Sequence, residues 1–423
     1  MKITRRTILG AGAFAAASVA FPLLVARARR AHSAPLGALV PDDAGLLDLP
    51  RGFSYKVLDR ALDAMSDGYR VPHEPDGMAC FDGQDGELIL MRNHELDIDP
   101  TQAAYDDAPS MAYDAKVFGG VTRLVLDRRT LTRKSSNLVL AGTLRNCGGG
   151  KSPWGWLSAE ESVERGHGYV FLCPERSVSL SKPERIVGYG RFNHEAVCID
   201  PVSHLAYLTE DQPDGCLYRF RCLDPARPFE GKLQAMKLTG APGLDTGLLP
   251  VDAAKHALEW VDIPEPDPET DSVRDQAQEL GAALIRRGEG VAFHDRAVYV
   301  CATIGGRAGL GQLLRLVDGA RPTLEVIAES SDSDALEMPD NISVAPWGDV
   351  YMAEDGADGS QYLRGVTPNG RVFDVARNSR SAGELAGVCF SPDHRALFAN
   401  LQGDGITVAI TGPFGSLSAA ARS

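Results

Sequence analysis

A chain of 423 residues, 44% of them hydrophobic and 24% charged, has the composition of a folded globular protein and excludes global disorder. Its formal charge is −14, and the amino-terminal stretch holds Lys2, Arg5, Arg6, Arg27, Arg29 and Arg30 with no acid before position 35, which leaves 37 of the 43 basic residues against all 57 acidic ones. A body that acidic repels nucleic acid and anionic membrane and suits cations, and any anionic substrate needs a locally positive site.

In Thr4-Arg5-Arg6-Thr7-Ile8-Leu9 a pair of arginines precedes an apolar run from Ile8 to Val25. That is the pattern of a twin-arginine export signal over residues 1–34, with cleavage after Ala28 or near Ala34, and a retained membrane anchor is the alternative. The expected location is periplasmic or secreted, and the expected export partner is the twin-arginine machinery. Residues 35–423 read as one domain.

The expected architecture is all-β, a six-bladed β-propeller with a short helical insertion. Segments with one pattern recur: an acid, one spacer, an alternating apolar strand, a turn and a second apolar strand. The leading acids are Asp76, Glu195, Glu289 and Asp340; the last unit has Ala386 in that place and Glu384 two residues earlier. Return strands are predicted at Leu88–Met91, Ala206–Leu208, Ala297–Val300, Val350–Met352 and Ala396–Phe398. A sixth, Trp154–Leu157, lacks a clear partner before it. Outer strands are expected at Val121–Leu126, Leu138–Leu140, Cys216–Phe220, Leu313–Leu316, Leu324–Ile327, Tyr362–Val366 and Val372–Val375. The one helix predicted is Ser272–Arg286, after the Pro/acid linker Pro264–Pro268; it would deliver Arg286 and Arg287 to the strand near Glu289. A repeat that closes on itself favours a monomer.

The return strands end in polar tips: Arg92-Asn93-His94-Glu95, Ala159-Glu160-Glu161, Thr209-Glu210-Asp211, Ala302-Thr303, Ala353-Glu354-Asp355 and Asn400-Leu401-Gln402. In a propeller these tips and the leading acids converge at one mouth of the central channel. Any one of Glu195, Glu210, Asp211, Glu289, Asp340, Glu354, Asp355 or Glu384 alone is a strand-end cap or a solvated turn. Together they crowd carboxylates, which is costly unless a cation sits among them. Oxygen ligands suit Ca²⁺ or Mg²⁺, and an added thiolate suits a metal such as iron.

No two of the eight cysteines form a CxxC pair, so zinc-ribbon and thioredoxin readings fail. Cys216 and Cys222 flank one strand and are a candidate disulfide after export. Cys147 lies in Arg145-Asn146-Cys147-Gly148-Gly149-Gly150, where glycines let the backbone approach a ligand closely; a surface thiol is the alternative. The Asn146 amide is placed to donate to a bound oxyanion. Arg287 before Glu289 offers a bidentate anion contact, although a helix-end arginine is favourable in itself. His94 and His194 each precede a glutamate and are either ligands or backbone-bonded. GxSxG, HExxH and P-loop motifs are absent.

These stretches resemble the PhoX-type alkaline phosphatases. The likeness runs in order through Arg92-Asn93-His94-Glu95, Gly142-Thr143-Leu144-Arg145-Asn146-Cys147-Gly148-Gly149, Ser152-Pro153-Trp154-Gly155, His194-Glu195-Ala196, Arg287-Gly288-Glu289-Gly290, Pro339-Asp340-Asn341 and Glu384-Leu385-Ala386-Gly387-Val388-Cys389. The resemblance implies export and hydrolysis of small-molecule phosphate monoesters at a cluster of Fe³⁺ and Ca²⁺. By position, Cys147 would bind iron, and Glu95, Glu160, Glu195, Glu210, Asp211, Glu289, Asp340, Glu354 and Glu384 would hold iron and calcium. Arg287 would grip the phosphate. The chain is short for that family, and Ala159 stands where a cysteine is common. A calcium-dependent propeller hydrolase such as a lactonase or phosphotriesterase-like enzyme, and a non-catalytic binding propeller, are the rival readings.

Overall fold

The computed structural model describes residues 35–356 and 359–415. The expected export signal, residues 1–34, lies outside the described residues. Among them no helix is long and apolar enough to cross a membrane.

Short antiparallel sheets radiate from a common axis in a propeller-like arrangement. Pro75–Asp82, Glu87–His94, Gly119–Asp127 and Arg133–Thr143 pair in chain order as one sheet. Gly150–Ser152, Gly155–Ala159 and Val170–Cys173 form the next. His194–Ile199, Ala206–Glu210, Tyr218–Cys222 and Gly231–Leu238 follow, then Gly288–His294, Ala297–Ala302, Gln312–Val317 and Thr323–Glu329. His256–Asp262 pairs with the outer edges of both and joins them, so neither edge is left as a template for association. Pro339–Val344, Val350–Glu354, Tyr362–Val366 and Val372–Asn378 make another sheet, edged by Leu47–Pro50. Leu385–Phe390, Ala396–Leu401 and Ile406–Thr411 take their fourth strand from the other end of the chain, Ser54–Arg60. That pairing closes the ring with backbone hydrogen bonds.

The inner strands pack side by side: Gly150–Ser152 lies between Pro75–Asp82 and His194–Ile199, and Gly288–His294, Pro339–Val344 and Leu385–Phe390 continue the circle back to Pro75–Asp82. The approach is close enough to demand glycine. A Cβ on Gly77 would stand 1.7 Å from the Gly148 carbonyl oxygen, and one on Gly150 would stand 1.6 Å from that of Val197. The glycine run after Cys147 therefore serves strand-to-strand contact at Gly148 and Gly150. It also supplies the missing partner of the sixth return strand, which sequence reasoning did not find because Gly150–Ser152 is only three residues long.

Both faces of most strands are buried between neighbouring sheets, as in the Leu397, Ala399 and Leu401 row and the alternate Ala396 and Phe398 row. The helix is shorter than predicted. It spans Val273–Glu279 without a side-chain cap from Ser272, and Gly281 at φ +84° lets the chain turn away. Leu284–Ile285 then pairs with Gly215–Cys216. Cys216 and Cys222 are both free thiols at opposite ends of their segment, so the candidate disulfide is not formed.

Candidate metal centre

Every inner strand except Gly150–Ser152 begins with a local misregister. Pairing slips between Pro75 and Met78, His194 and Val197, Gly288 and Val291, Pro339 and Ile342, and Ala386 and Cys389. A bulge of this kind re-aims the extra side chain. The residues it turns are Asp76, Glu195, Glu289 and Asp340, and Cys147 stands at the corresponding place before Gly150–Ser152.

A second repeated device fixes the tips. The backbone N–H groups of Glu95, Glu161, Asp211, Thr303, Asp355 and Gln402 donate to the carbonyls of Glu74, Arg145, Asn193, Arg287, Met338 and Glu384 respectively. Three ranks of side chains result: the bulge residues, the tip residues, and a rim containing Arg145, Arg287 and Glu384. Glu384 thus belongs to the same rank as the two arginines, which is why it lies two residues before the place held by the other leading acids.

The ranks meet in one cluster. Ligand atoms of Asp76, Glu95 and Cys147 lie within 4.8 Å of one another, as do those of Cys147, Glu161 and Glu195, and those of Glu195, Glu289 and Asp340. Glu384 stands close to Asp340, and Glu95 to Glu161, so that in each pair ionisation of one carboxyl hinders ionisation of its neighbour. Burial, and then the neighbouring acids, push the carboxyls of Glu95, Glu195, Glu289 and Glu384 well above the usual range. Asp76 is raised to about 8 by burial and by Asp340, and Asp340 to about 6 by burial and by Asp355. Burial and Asp76 likewise raise the Cys147 thiol, whose Sγ is 3.4 Å from Asp76 Oδ2.

Only part of this charge is met by protein. Gln402 Nε2 donates to Asp76 Oδ2 at 2.9 Å and to Glu95 Oε2 at 3.0 Å, and the Gly148 N–H to Glu195 Oε1 at 3.1 Å. Asp76 Oδ1 and Glu195 Oε2 are buried with no hydrogen-bond partner. Arg287 donates Nε to Asp211 Oδ1 at 2.8 Å and Nη2 to Asp211 Oδ2 at 3.1 Å and Glu289 Oε1 at 2.8 Å, with Asp355 at 3.7 Å. An unpaired buried carboxylate oxygen is expensive, and the donor set of oxygens with one sulfur fits hard cations together with iron.

The structure turns several sequence-chosen residues elsewhere. Glu160 accepts from the N–H groups of Leu144, Gly168 and Tyr169 and bonds His167 at 2.7 Å, so the cluster acid of that tip is Glu161. Glu210 is held by Arg274, Tyr218 and the Cys216 N–H, and Glu354 by Arg364 and the Glu337 N–H; Asp211 and Asp355 face the mouth instead. The Asn146 amide donates to Ser158 Oγ and its carbonyl accepts from Thr143, both at 2.7 Å, which ties the end of one sheet to the next. His94 bonds the His73 carbonyl and Thr122, and His194 the Gly190 carbonyl; burial holds both neutral, His194 at about 3. Asp76, counted in the repeat but not chosen as a ligand, is at the heart of the cluster. Its equivalence with Glu195 and Glu289 was the signal for it.

Beneath the cluster the channel widens into a cavity of about 560 Å³ lined by Met78, Val197, Val291, Ile342, Val388 and Phe390 among others. Lys151 and His394 also line this cavity, and the clustered carboxylates lie outside it.

Fold and site together define an all-β, propeller-like protein with a buried acidic centre able to hold metal ions. Residues 34–405 match the family model for alkaline phosphatase PhoX, and the chain belongs to that family of phosphoric monoester hydrolases. Among solved structures it is similar to the PhoX of Pseudomonas fluorescens in complex with vanadate, a transition state analogue, at 15% identity and a TM-score of 0.68, over 90% of this chain and 98% of that one. A gluconolactonase of Xanthomonas campestris is similar at 14% identity with a TM-score of 0.43, over 91% of this chain and 100% of that one. No curated protein matches the sequence.

Proposed function

We propose that this protein is an exported phosphatase that hydrolyses small-molecule phosphate monoesters at the tip-side mouth of a six-bladed propeller, using iron and calcium. The six-blade count is supported by the closed circle of inner strands, each entering with its own bulge or glycine-lined turn. A ring sealed by its own termini also supports a monomer. Export through the twin-arginine machinery to the periplasm or beyond rests on Arg5, Arg6 and the apolar run after them.

The observation that carries the reading is the crowding of buried acids around one thiol and one committed arginine. Cys147, Asp76, Glu95, Glu161, Glu195, Glu289, Asp340 and Glu384 are the residues that would hold the metals. When bound, such ions act as Lewis acids that neutralise phosphoryl oxygens and make water acidic enough to attack at working pH. Arg287 supplies a fork for the equatorial oxygens, where charge accumulates in phosphoryl transfer. Asp211 and Asp355 aim that fork, and the ester must compete with them for it. The buried cluster keeps bulk water away, which strengthens each of these contacts.

The test is purification of the exported protein, elemental analysis, and assay on p-nitrophenyl phosphate, bis-p-nitrophenyl phosphate and a lactone with calcium added. Iron with calcium, and turnover confined to the monoester, is the expected result. Calcium without iron, with lactone or diester turnover, points to a different propeller hydrolase; no turnover at all leaves a binding propeller.

A further inference from the structure

The rim rank holds a second arginine that the phosphatase reading does not use. Arg145 and Arg287 occupy equivalent places. Each has a left-handed backbone, φ +45° and +48°, a conformation rare outside glycine. The Arg287 N–H donates to Gln212, the residue after the tip of the preceding sheet, and the Arg145 N–H donates to Leu96 in the same relation. Each carbonyl then receives the tip of its own sheet, Thr303 or Glu161. The two guanidinium groups therefore spring from matching points of the mouth.

Their partners differ. Arg287 is engaged by Asp211 and Glu289 at hydrogen-bond distance. Arg145 has one loose ion pair, 3.9 Å to Asp97, a carboxylate that is itself 64% exposed, and its own side chain is 37% exposed. Its Nε is buried without a hydrogen-bond partner. A fork with an unused donor at the rim of a phosphoester site is placed for an anion beyond the phosphoryl group.

We propose that Arg145 is a second anion-contact residue, which grips a carboxylate on the leaving-group side of the substrate and so favours phosphorylated hydroxy acids over neutral phosphoesters. The inference rests on the phosphatase reading. A carboxylate fits better than a second phosphate, because Glu74, Glu95, Asp97 and Glu161 already surround this arc and one guanidinium offsets only one further negative charge.

A matched pair of substrates tests it: 3-phosphoglycerate and glycerol 3-phosphate differ chiefly in the carboxylate of the leaving group. With metal-loaded enzyme, kcat/KM for 3-phosphoglycerate is expected to exceed that for glycerol 3-phosphate by about tenfold, the scale of one charge-assisted hydrogen bond at a half-exposed site. Arg145→Gln should bring the ratio to about one, and Arg145→Lys should restore part of it, since the charge returns without the fork. A purely structural defect lowers both rates by one factor and leaves the ratio intact, so a ratio that survives Arg145→Gln overturns the proposal. A ratio near one in the unaltered enzyme does the same while leaving the phosphatase reading in place. If neither ester is hydrolysed, the phosphatase reading falls and this inference falls with it.

Discussion

The Cys147 thiol stands 3.4 Å from Oδ2 of Asp76, although the two residues enter different sheets and lie 71 positions apart in the chain. Without a cation burial raises both groups, and the Asp76 carboxylate makes ionisation of the thiol harder still, while the thiol's hydrogen bond only partly eases ionisation of Asp76. A metal between them removes the conflict, because thiolate and carboxylate then serve as ligands. Cys147→Ala should therefore strip iron from the purified protein, at least tenfold by elemental analysis, and abolish any visible absorption that arises from a sulfur–iron bond. Full iron and full activity in that variant would show the thiol to be a bystander.

Arg287 is oriented by Asp211 from one side and Glu289 from the other. Such a fork supplies a fixed donor to charge that grows in the transition state, and losing one costs about 10²–10³ in rate. Arg287→Ala should lower kcat/KM on p-nitrophenyl phosphate by that order. Arg287→Lys should recover little, since an ammonium cannot present two parallel donors. A loss below about fivefold in steady-state kinetics would remove Arg287 from the phosphate site.

Neighbouring acids at one tip have opposite fates, and paired substitutions separate them. Glu160 satisfies backbone donors inside its sheet, so Glu160→Gln should cost about 2–4 kcal/mol of stability, the scale for breaking a buried, charged hydrogen-bond network. Metal content of the folded fraction should change little. Glu161→Gln should do the reverse, with reduced metal occupancy and activity while the melting temperature of the metal-free protein holds or rises. Calorimetry on metal-free samples and elemental analysis on loaded ones read the two effects independently.

The same pair explains what the sequence made legible. The return strands and Tyr362–Val366 could be read because alternation of apolar residues and bend-forming turns mark each hairpin. The convergence of Glu195, Glu289 and Asp340 could be read because their rank in the repeat is equivalent. Which acid of Glu160-Glu161, Glu210-Asp211 or Glu354-Asp355 faces the axis was hidden. In these sheets both strand faces are buried, so no polar face fixes the parity. Glu210 follows Ala206 and Leu208 in the inward-packed row, and that parity, counted from the core, is the clue that was available. The helix was over-extended because helix formers continue past Glu279, where Gly281 and the pairing of Leu284–Ile285 override local preference.

The metal-free protein should gain stability on mild acidification, contrary to the usual behaviour of an acidic protein with paired carboxylates. In the unfolded chain Asp and Glu titrate near pH 4. In the fold Asp340 is raised to about 6 and Asp76 to about 8, chiefly by burial. Between roughly pH 4 and pH 8 the native state thus binds more protons than the unfolded state, and stability falls as pH rises through that window. Stripped of metal with a chelator, the protein should melt several degrees higher at pH 6 than at pH 9. Bound cations would replace those protons as the compensating charge, so loading with calcium and iron should raise the melting temperature most at pH 9, where the carboxylates are otherwise least tolerated. A melting curve of the metal-free protein that is flat from pH 6 to 9, measured by scanning calorimetry, would mean that the cluster ionises freely and that the acids are not crowded as described.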